Sequence, residues 1–189
     1  MAIHAEEVEV LRGESVTLRP PRKSDVEAAY AWDRDPELAA WNGRTPISIS
    51  LSAARRDYLA RWEDPSVKTF IMEAEGEPIG MVTLYDFRNG GCELGIKIGP
   101  QDLRGKGYAT EGARALIRKG FAELGVRRVF AQTMAVNTAS RRVMEKAGLA
   151  HVRTFHEDWT DPIEGAKHGE VEYALTKADW ERQEAAGRE

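Results

Sequence analysis

The chain has 189 residues, 42% of them hydrophobic and 31% charged, and a formal net charge of -4 at pH 7; this fits one globular domain with a substantial core and excludes wholesale disorder. The acidic balance excludes general nucleic-acid binding, though not a local basic patch. The lone Cys92 excludes an intrachain disulfide, no apolar run approaches the ~20 residues of a membrane span, and MAIHAEEVEV lacks the basic and apolar regions of a signal peptide, so a cytoplasmic protein without membrane contact is expected.

Residues 1–13 read as a loose acidic lead-in, 14–180 as one domain and 181–189 as a charged tail. Val16 to Leu18 alternates as a short strand, stopped by Pro20 and Pro21. Ser24 or Asp25 is the expected N-cap of a helix from Val26 to about Arg34, and Pro36 opens a short further turn. Ser50 or Ser52 caps a helix ending near Asp64, with Leu51, Tyr58, Leu59 and Trp62 as its apolar stripe. The period then changes. Residues 69–76, 77–87 and 92–99 read as strands, and Asn89-Gly90 between the last two is a hairpin turn signal. A helix from Tyr108 to Leu124 puts Ala109, Ala113, Leu116, Ile117, Phe121 and Leu124 on one face. Residues 127–134 form a strand, Asn137 starts a helix closed by Gly148, residues 149–159 and 169–176 are strands, and 177–189 is helical where ordered. The predicted architecture is α/β (α+β-like), with a central mixed, mostly antiparallel sheet of about seven strands flanked by helices.

The stretch RGKGYA at 104–109 carries the strongest chemical signal. A P-loop is excluded, because Lys106 is followed by Gly107 rather than Ser or Thr. A dinucleotide fingerprint fits poorly, because Thr110 stands where a third glycine belongs and the next strand ends in Gln132-Thr133 without a ribose-binding carboxylate. A third reading is a loop whose amides, with the start of the following helix, surround one anion, with Arg104 and Lys106 adding charge and Arg141 and Arg142 adding more. A plain glycine turn with solvated basic residues fits the spacing equally well.

Residues 93–148 resemble the core of the GCN5-related N-acetyltransferases, the GNAT superfamily, and in particular its RimJ/RimL-like branch. Arg104, Gly107 and Ala109 match the family's R/Q-x-x-G-x-G/A loop after the strand ELGIKI, and NTASRRVMEKAGL resembles the branch's second signature at Asn137, Ser140, Glu145-Lys146 and Gly148. The resemblance extends more weakly over 14–180, and it departs at Ala150, where the family often has Phe. It implies an acetyl-CoA site. The amides of Gly105, Lys106, Gly107, Tyr108, Ala109 and Thr110 would hold the pyrophosphate. Two parallel central strands, 92–98 and 127–134, would splay to admit pantetheine, and a backbone N–H near Ile96, Lys97 or Ile98 would face the thioester. Asn137 would bond the pantetheine or cap its helix, and Arg142 would add charge at the cofactor.

The same resemblance makes Ser140 the candidate acid for the leaving thiolate and Glu93 the candidate base, with Glu170 and Glu172 as weaker alternatives. The expected reaction is direct transfer of acetyl to a primary amine, with a protein or peptide N-terminus as acceptor. A small amine such as an aminoglycoside-type antibiotic, a non-catalytic acyl-CoA sensor and a nucleotide-binding oxidoreductase are the competing readings. Trp41, Asn42, Tyr85, Glu93 and Trp159 are candidate acceptor contacts, and Trp32 a further aromatic. Asp86, Glu157, Asp158 and Asp161 are acidic groups that would attract a cationic amine. His151 and His156 fall on opposite faces of one expected strand and lack metal-ligand spacing, and Cys92 reads as a small buried apolar residue, so no metal is expected. A homodimer is allowed by edge strands but compelled by nothing in the sequence.

Overall fold

The computed structural model describes residues 10–41, 45–156 and 165–187. Their strands are β1 (Leu11–Arg12), β2 (Thr17–Arg19), β3 (Lys68–Ala74), β4 (Glu77–Arg88), β5 (Gly91–Ile98), β6 (Arg128–Met134), β7 (Ala150–Phe155) and β8 (Glu170–Thr176). Their helices are α1 (Val26–Asp33), α2 (Pro36–Trp41), α3 (Leu51–Glu63), α4 (Tyr108–Ala122), α5 (Thr138–Lys146) and α6 (Lys177–Ala186). One eight-stranded sheet runs in the order β1-β2-β3-β4-β5-β6-β8-β7. The eighth strand is β1, which lies inside the expected lead-in and pairs its Leu11 with Leu18 of β2. All neighbours are antiparallel except β5 and β6. That pair is parallel because α4 carries the chain back across the sheet between them.

The tight turns follow local chemistry. Glu75-Gly76 and Asn89-Gly90 all take positive φ, the conformation that two-residue hairpin turns require. Ser50 caps α3 by accepting from the Ala53 amide, and Asn137 caps α5 by accepting from the Ser140 amide. α4 buries Ala113, Leu116, Ile117 and Phe121, and its Gly112 and Gly120 let it approach Met72 and Leu84 of the sheet. Trp180 of α6 packs on Phe121 at 5.5 Å between centroids, so a helix starting at Lys177 runs through the boundary expected at 180.

Three local expectations change. Asp25 makes no side-chain cap for α1; it is buried in a bidentate pair with Arg19 at 2.7 and 2.8 Å and accepts from the Arg22 amide. β7 ends at Phe155, so His156 lies beyond the strand, while His151 packs edge-on against Tyr173 at 5.4 Å. α4 ends at Ala122, two residues before Leu124.

Candidate active site

The parallel pairing of β5 and β6 covers Gly91, Cys92 and Glu93 only, opposite Arg128, Val129 and Phe130. Beyond Glu93 the strands part. β5 stays paired with β4 as far as Ile98, so its other edge, from Leu94 to Ile98, faces no strand among the described residues. The backbone near Ile96, Lys97 and Ile98 is thus placed where an extended ligand can add as a strand.

The loop 104–107 lies at the far end of this opening, between β5 and α4. Gly105 and Gly107 sit at φ +80° and +97°, a conformation that glycine adopts freely. A Cβ placed at either glycine would meet no atom of the described residues within 4 Å. The amides of residues 105–110 have no backbone acceptor among the described residues, and the last three belong to the first turn of α4. Six N–H groups without a backbone acceptor among the described residues, at a helix N-terminus, have the chemistry to hold an anion such as a pyrophosphate. Lys106 is exposed beside them. Arg104 departs from the expected phosphate contact. Its guanidinium donates to Glu37 and Asp35, each at 2.6 Å, and to the Gly99 carbonyl at 2.6 Å, and so ties the loop to α2 and the end of β5. Arg141 likewise donates to the Ala135 carbonyl and the Tyr173 hydroxyl, while Arg142 is exposed.

On the opposite sheet face from α4, the first three helices and the parted strands enclose a cleft of about 490 Å³. Glu93, Tyr85, Trp32 and Trp41 line it, as do the backbone neighbours Ile96 and Lys97. Burial pushes the Glu93 carboxyl above the ordinary carboxylate value; the Tyr85 hydrogen bond opposes this, while the charges of Asp86 and Glu172 add to it. A carboxyl so placed, half-buried in a cleft, takes a proton more readily than a free glutamate. Glu170 also lines the cleft. Glu172 is held low instead: burial opposes its charge, but Arg128, Arg153 and Gln132 more than offset that, which makes it a poor base. Cys92 is buried under the sheet, and burial pushes its thiol up to about 12.

Asn137 and Ser140 sit at the start of α5, and Asn137 also donates to the Trp41 carbonyl at 3.3 Å. Ser140 is half-buried and does not line the cleft. Asp86 is paired with Arg88 at 3.0 Å at a bulge in β4, outside the cleft. Asn42, Glu157, Asp158, Trp159 and Asp161 lie outside the described residues. Among the described residues, no three His, Cys, Asp or Glu side chains are grouped to hold a metal ion.

Several cleft residues were not legible in the sequence as functional. Tyr58 and Trp62, spaced i, i+4 on α3, read as core stripe, yet they stack at 5.6 Å and line the cleft half-buried. Asp33 accepts from both Lys97 and the Tyr58 hydroxyl, which joins α1, α3 and β5 across the cleft floor. Burial and Asp33 raise the Tyr58 phenol well above its ordinary value, so it stays protonated as a donor.

The sequence matches the family described as Acetyltransferase (GNAT) domain over residues 15–150. An FsC-acetyl coenzyme A-N(2)-transacetylase of Aspergillus fumigatus is 39% identical over 127 residues, 62% of this chain and 54% of that protein. This chain thus spans only about half the length of that relative. An uncharacterized N-acetyltransferase, p20, of Bacillus licheniformis is 30% identical over 155 residues, 75% of this chain and 85% of its own. A ribosomal L7/L12 α-N-protein acetyltransferase, RimL, solved with coenzyme A, superposes with a TM-score of 0.75 over 89% of this chain and 98% of its own; at 15% identity the likeness is one of fold.

Proposed function

Because this chain belongs to the GNAT acetyltransferase family, we propose that it transfers acetyl from acetyl-CoA directly to a primary amine, and that the acceptor is a protein or peptide N-terminus, as in the RimJ/RimL-like branch. Acetyl-CoA is the donor. The observation that carries the reading is Glu93, a carboxyl raised by burial at the point where β5 and β6 part, facing a cleft large enough for an amine-bearing chain end.

The roles follow from the chemistry. The amides of 105–110 hold the pyrophosphate, with Lys106 beside them, and Arg104 holds the loop in shape. An amide of β5 between Ile96 and Ile98 meets the thioester carbonyl and stabilises the oxyanion. Glu93 takes the proton from the acceptor ammonium, directly or through a water. The freed nitrogen attacks the carbonyl carbon and the C–S bond breaks; the Ser140 hydroxyl donates a proton to the departing thiolate and is reprotonated by the second proton that the nitrogen gives up as it becomes the amide. Asn137 fixes the start of α5 and so the place of Ser140.

The N-terminal acceptor is supported by the NTASRRVMEKAGL signature and by the shared fold with RimL. A small amine is the second reading, and the 39% identity to a relative named as an N(2)-transacetylase favours it. Release of free CoA from acetyl-CoA, measured with N-terminal peptides and small amines, tests the proposal. Turnover with acetylated product is the expected result. Thermal protection by acetyl-CoA without turnover on any amine would leave an acyl-CoA sensor, and protection by NAD(P) would point to an oxidoreductase.

A further inference from the structure

The cleft does not end at Glu93. The register puts Glu93 opposite Phe130 on β6, and alternation then places Arg128, Phe130 and Gln132 on the same sheet face. Gln132 pairs with Glu172 on β8, which pairs with Arg153 on β7. Together with Arg88 these residues line a second hollow of about 280 Å³, and Gln132 borders both it and the main cleft.

This second hollow is electropositive. Arg128 and Arg153 both bond the carboxylate of the buried Glu172, at 2.5 and 2.8 Å. One arginine would neutralise that carboxylate, so the second leaves a surplus positive charge. The two guanidiniums also lie over aromatic rings, Arg128 over Phe130 at 5.1 Å and Arg153 over Phe155 at 4.6 Å. Stacking of this kind holds the guanidinium plane while leaving edge N–H groups for an anion, and each arginine has five donors. Arg128 and Arg153 remain 39% and 57% exposed at their side chains. Arg88 stands with Asp86 at the same rim.

We infer that Arg128 and Arg153 form an anion subsite of the acceptor cleft, and that the preferred acceptor carries a carboxylate beyond its reacting amine. The inference rests on the acetyltransferase reading above. The strand spacing of about 4.8 Å, with the two-residue offset of the register, puts Arg153 about 16 Å from Glu93, three strands away, and Arg128 about 8 Å away on the diagonal. At about 3.3 Å per extended residue, the acid falls about two to five residues beyond an N-terminal amine. A small amine with a carboxylate at similar reach offers the same chemistry.

Two matched sets of acceptors test this: tetrapeptide amides with Asp or Asn at the third and fourth positions, and 8-aminooctanoate against its amide. Charge-assisted hydrogen bonds to an arginine pair predict a preference of about tenfold or more in kcat/KM for the acid member of at least one set. The preference falls toward one in the Arg128→Gln/Arg153→Gln double variant and weakens as salt rises. Preference in the peptide set alone identifies a chain end as the source, and in the octanoate pair alone a small molecule. Equal rates for acid and amide in both sets, with turnover intact, overturn the subsite and leave the acetyltransferase reading standing. If no amine turns over, that reading fails instead, and calorimetric binding of the acidic and amidated tetrapeptides still decides the subsite: tighter binding of the acid, lost in the double variant, supports it, and equal binding overturns it.

Discussion

Tyr85 stands directly across from Glu93 in the antiparallel β4–β5 pair, and its side chain hydrogen bonds the Glu93 carboxylate. The phenol donates, so it favours the charged carboxylate and fixes its orientation, while burial favours the neutral acid and wins. A general base needs this balance, an affinity for protons above that of a free glutamate without loss of its aim.

Replacing Glu93 with Gln removes the base while keeping the shape. A drop in kcat of about 10²-fold or more is expected, with acetyl-CoA affinity unchanged. The stability effect has the opposite sign. A carboxyl whose folded pKa is raised above its ordinary 4.5 stabilises the fold fully below that value, and the contribution is lost as pH rises through the folded pKa. At neutral pH the wild type therefore bears the cost of a buried charge, and Glu93→Gln should melt at a higher temperature, with the gap closing toward pH 4.5. Calorimetry from pH 4.5 to 8 checks it; a variant less stable than wild type at neutral pH contradicts the raised carboxyl.

Tyr85→Phe removes a hydrogen bond that lowers the Glu93 pKa. The acid limb of the kcat/KM profile should move to higher pH and the plateau should persist. A profile that stays in place would separate Tyr85 from the titrating group.

Gly107 tests the loop. It sits at φ +97° with no atom of the described residues within 4 Å of where a Cβ would stand. Gly107→Glu should abolish acetyl-CoA binding, because a carboxylate would stand beside the pyrophosphate and the side chain would strain the left-handed backbone by about 1–2 kcal/mol. Calorimetric titration measures the binding, and circular dichroism checks that the fold remains. Unchanged affinity removes this loop from the cofactor site.

The elements of the fold were largely legible, because hairpin signals such as Asn89-Gly90 and the periodicity of α4 are local. So was the glycine loop as a turn into α4, with Gly105 and Gly107 at positive φ. What lay hidden depended on distant neighbours. Arg104 reads as a phosphate cation until Asp35 and Glu37, nearly seventy residues earlier, claim its guanidinium. Glu172 reads as a candidate base until two strands bring Arg128 and Arg153 to it. Tyr58 and Trp62 have the spacing of a core stripe, and only the parting of β5 and β6 opens the cleft that they line.

Arg19 and Asp25 test the frame behind the site. Burial opposes charge on Asp25, but the bidentate Arg19 and the Arg22 amide more than offset it, and the carboxyl is held below its ordinary 3.8. A depressed carboxyl stabilises the fold above that value, and the contribution is lost as pH falls through the folded pKa, so an acid-unfolding component is expected below pH 3.8. Asp25→Asn leaves Arg19 buried with Glu73 as its remaining carboxylate among the described residues and should cost about 3–5 kcal/mol in urea unfolding. The variant should also lose the acid component; an unchanged acid profile would place that titration elsewhere.

Ser140→Ala isolates the proposed acid. The Ser140 amide, not its hydroxyl, donates to the Asn137 side-chain Oδ1 at 3.0 Å, and the hydroxyl has no hydrogen-bond partner among the described residues. The substitution therefore keeps the cap of α5, and melting temperature and acetyl-CoA affinity should hold. Only the proton for the leaving thiolate is removed, so kcat should fall by about 10²-fold. The loss should be smaller with a thioester whose thiol is more acidic, because a better leaving group depends less on a donated proton. A variant that keeps the wild-type rate takes the acid role away from Ser140. A loss that stays the same across donor thiols places the defect in the geometry of α5 instead of in proton transfer.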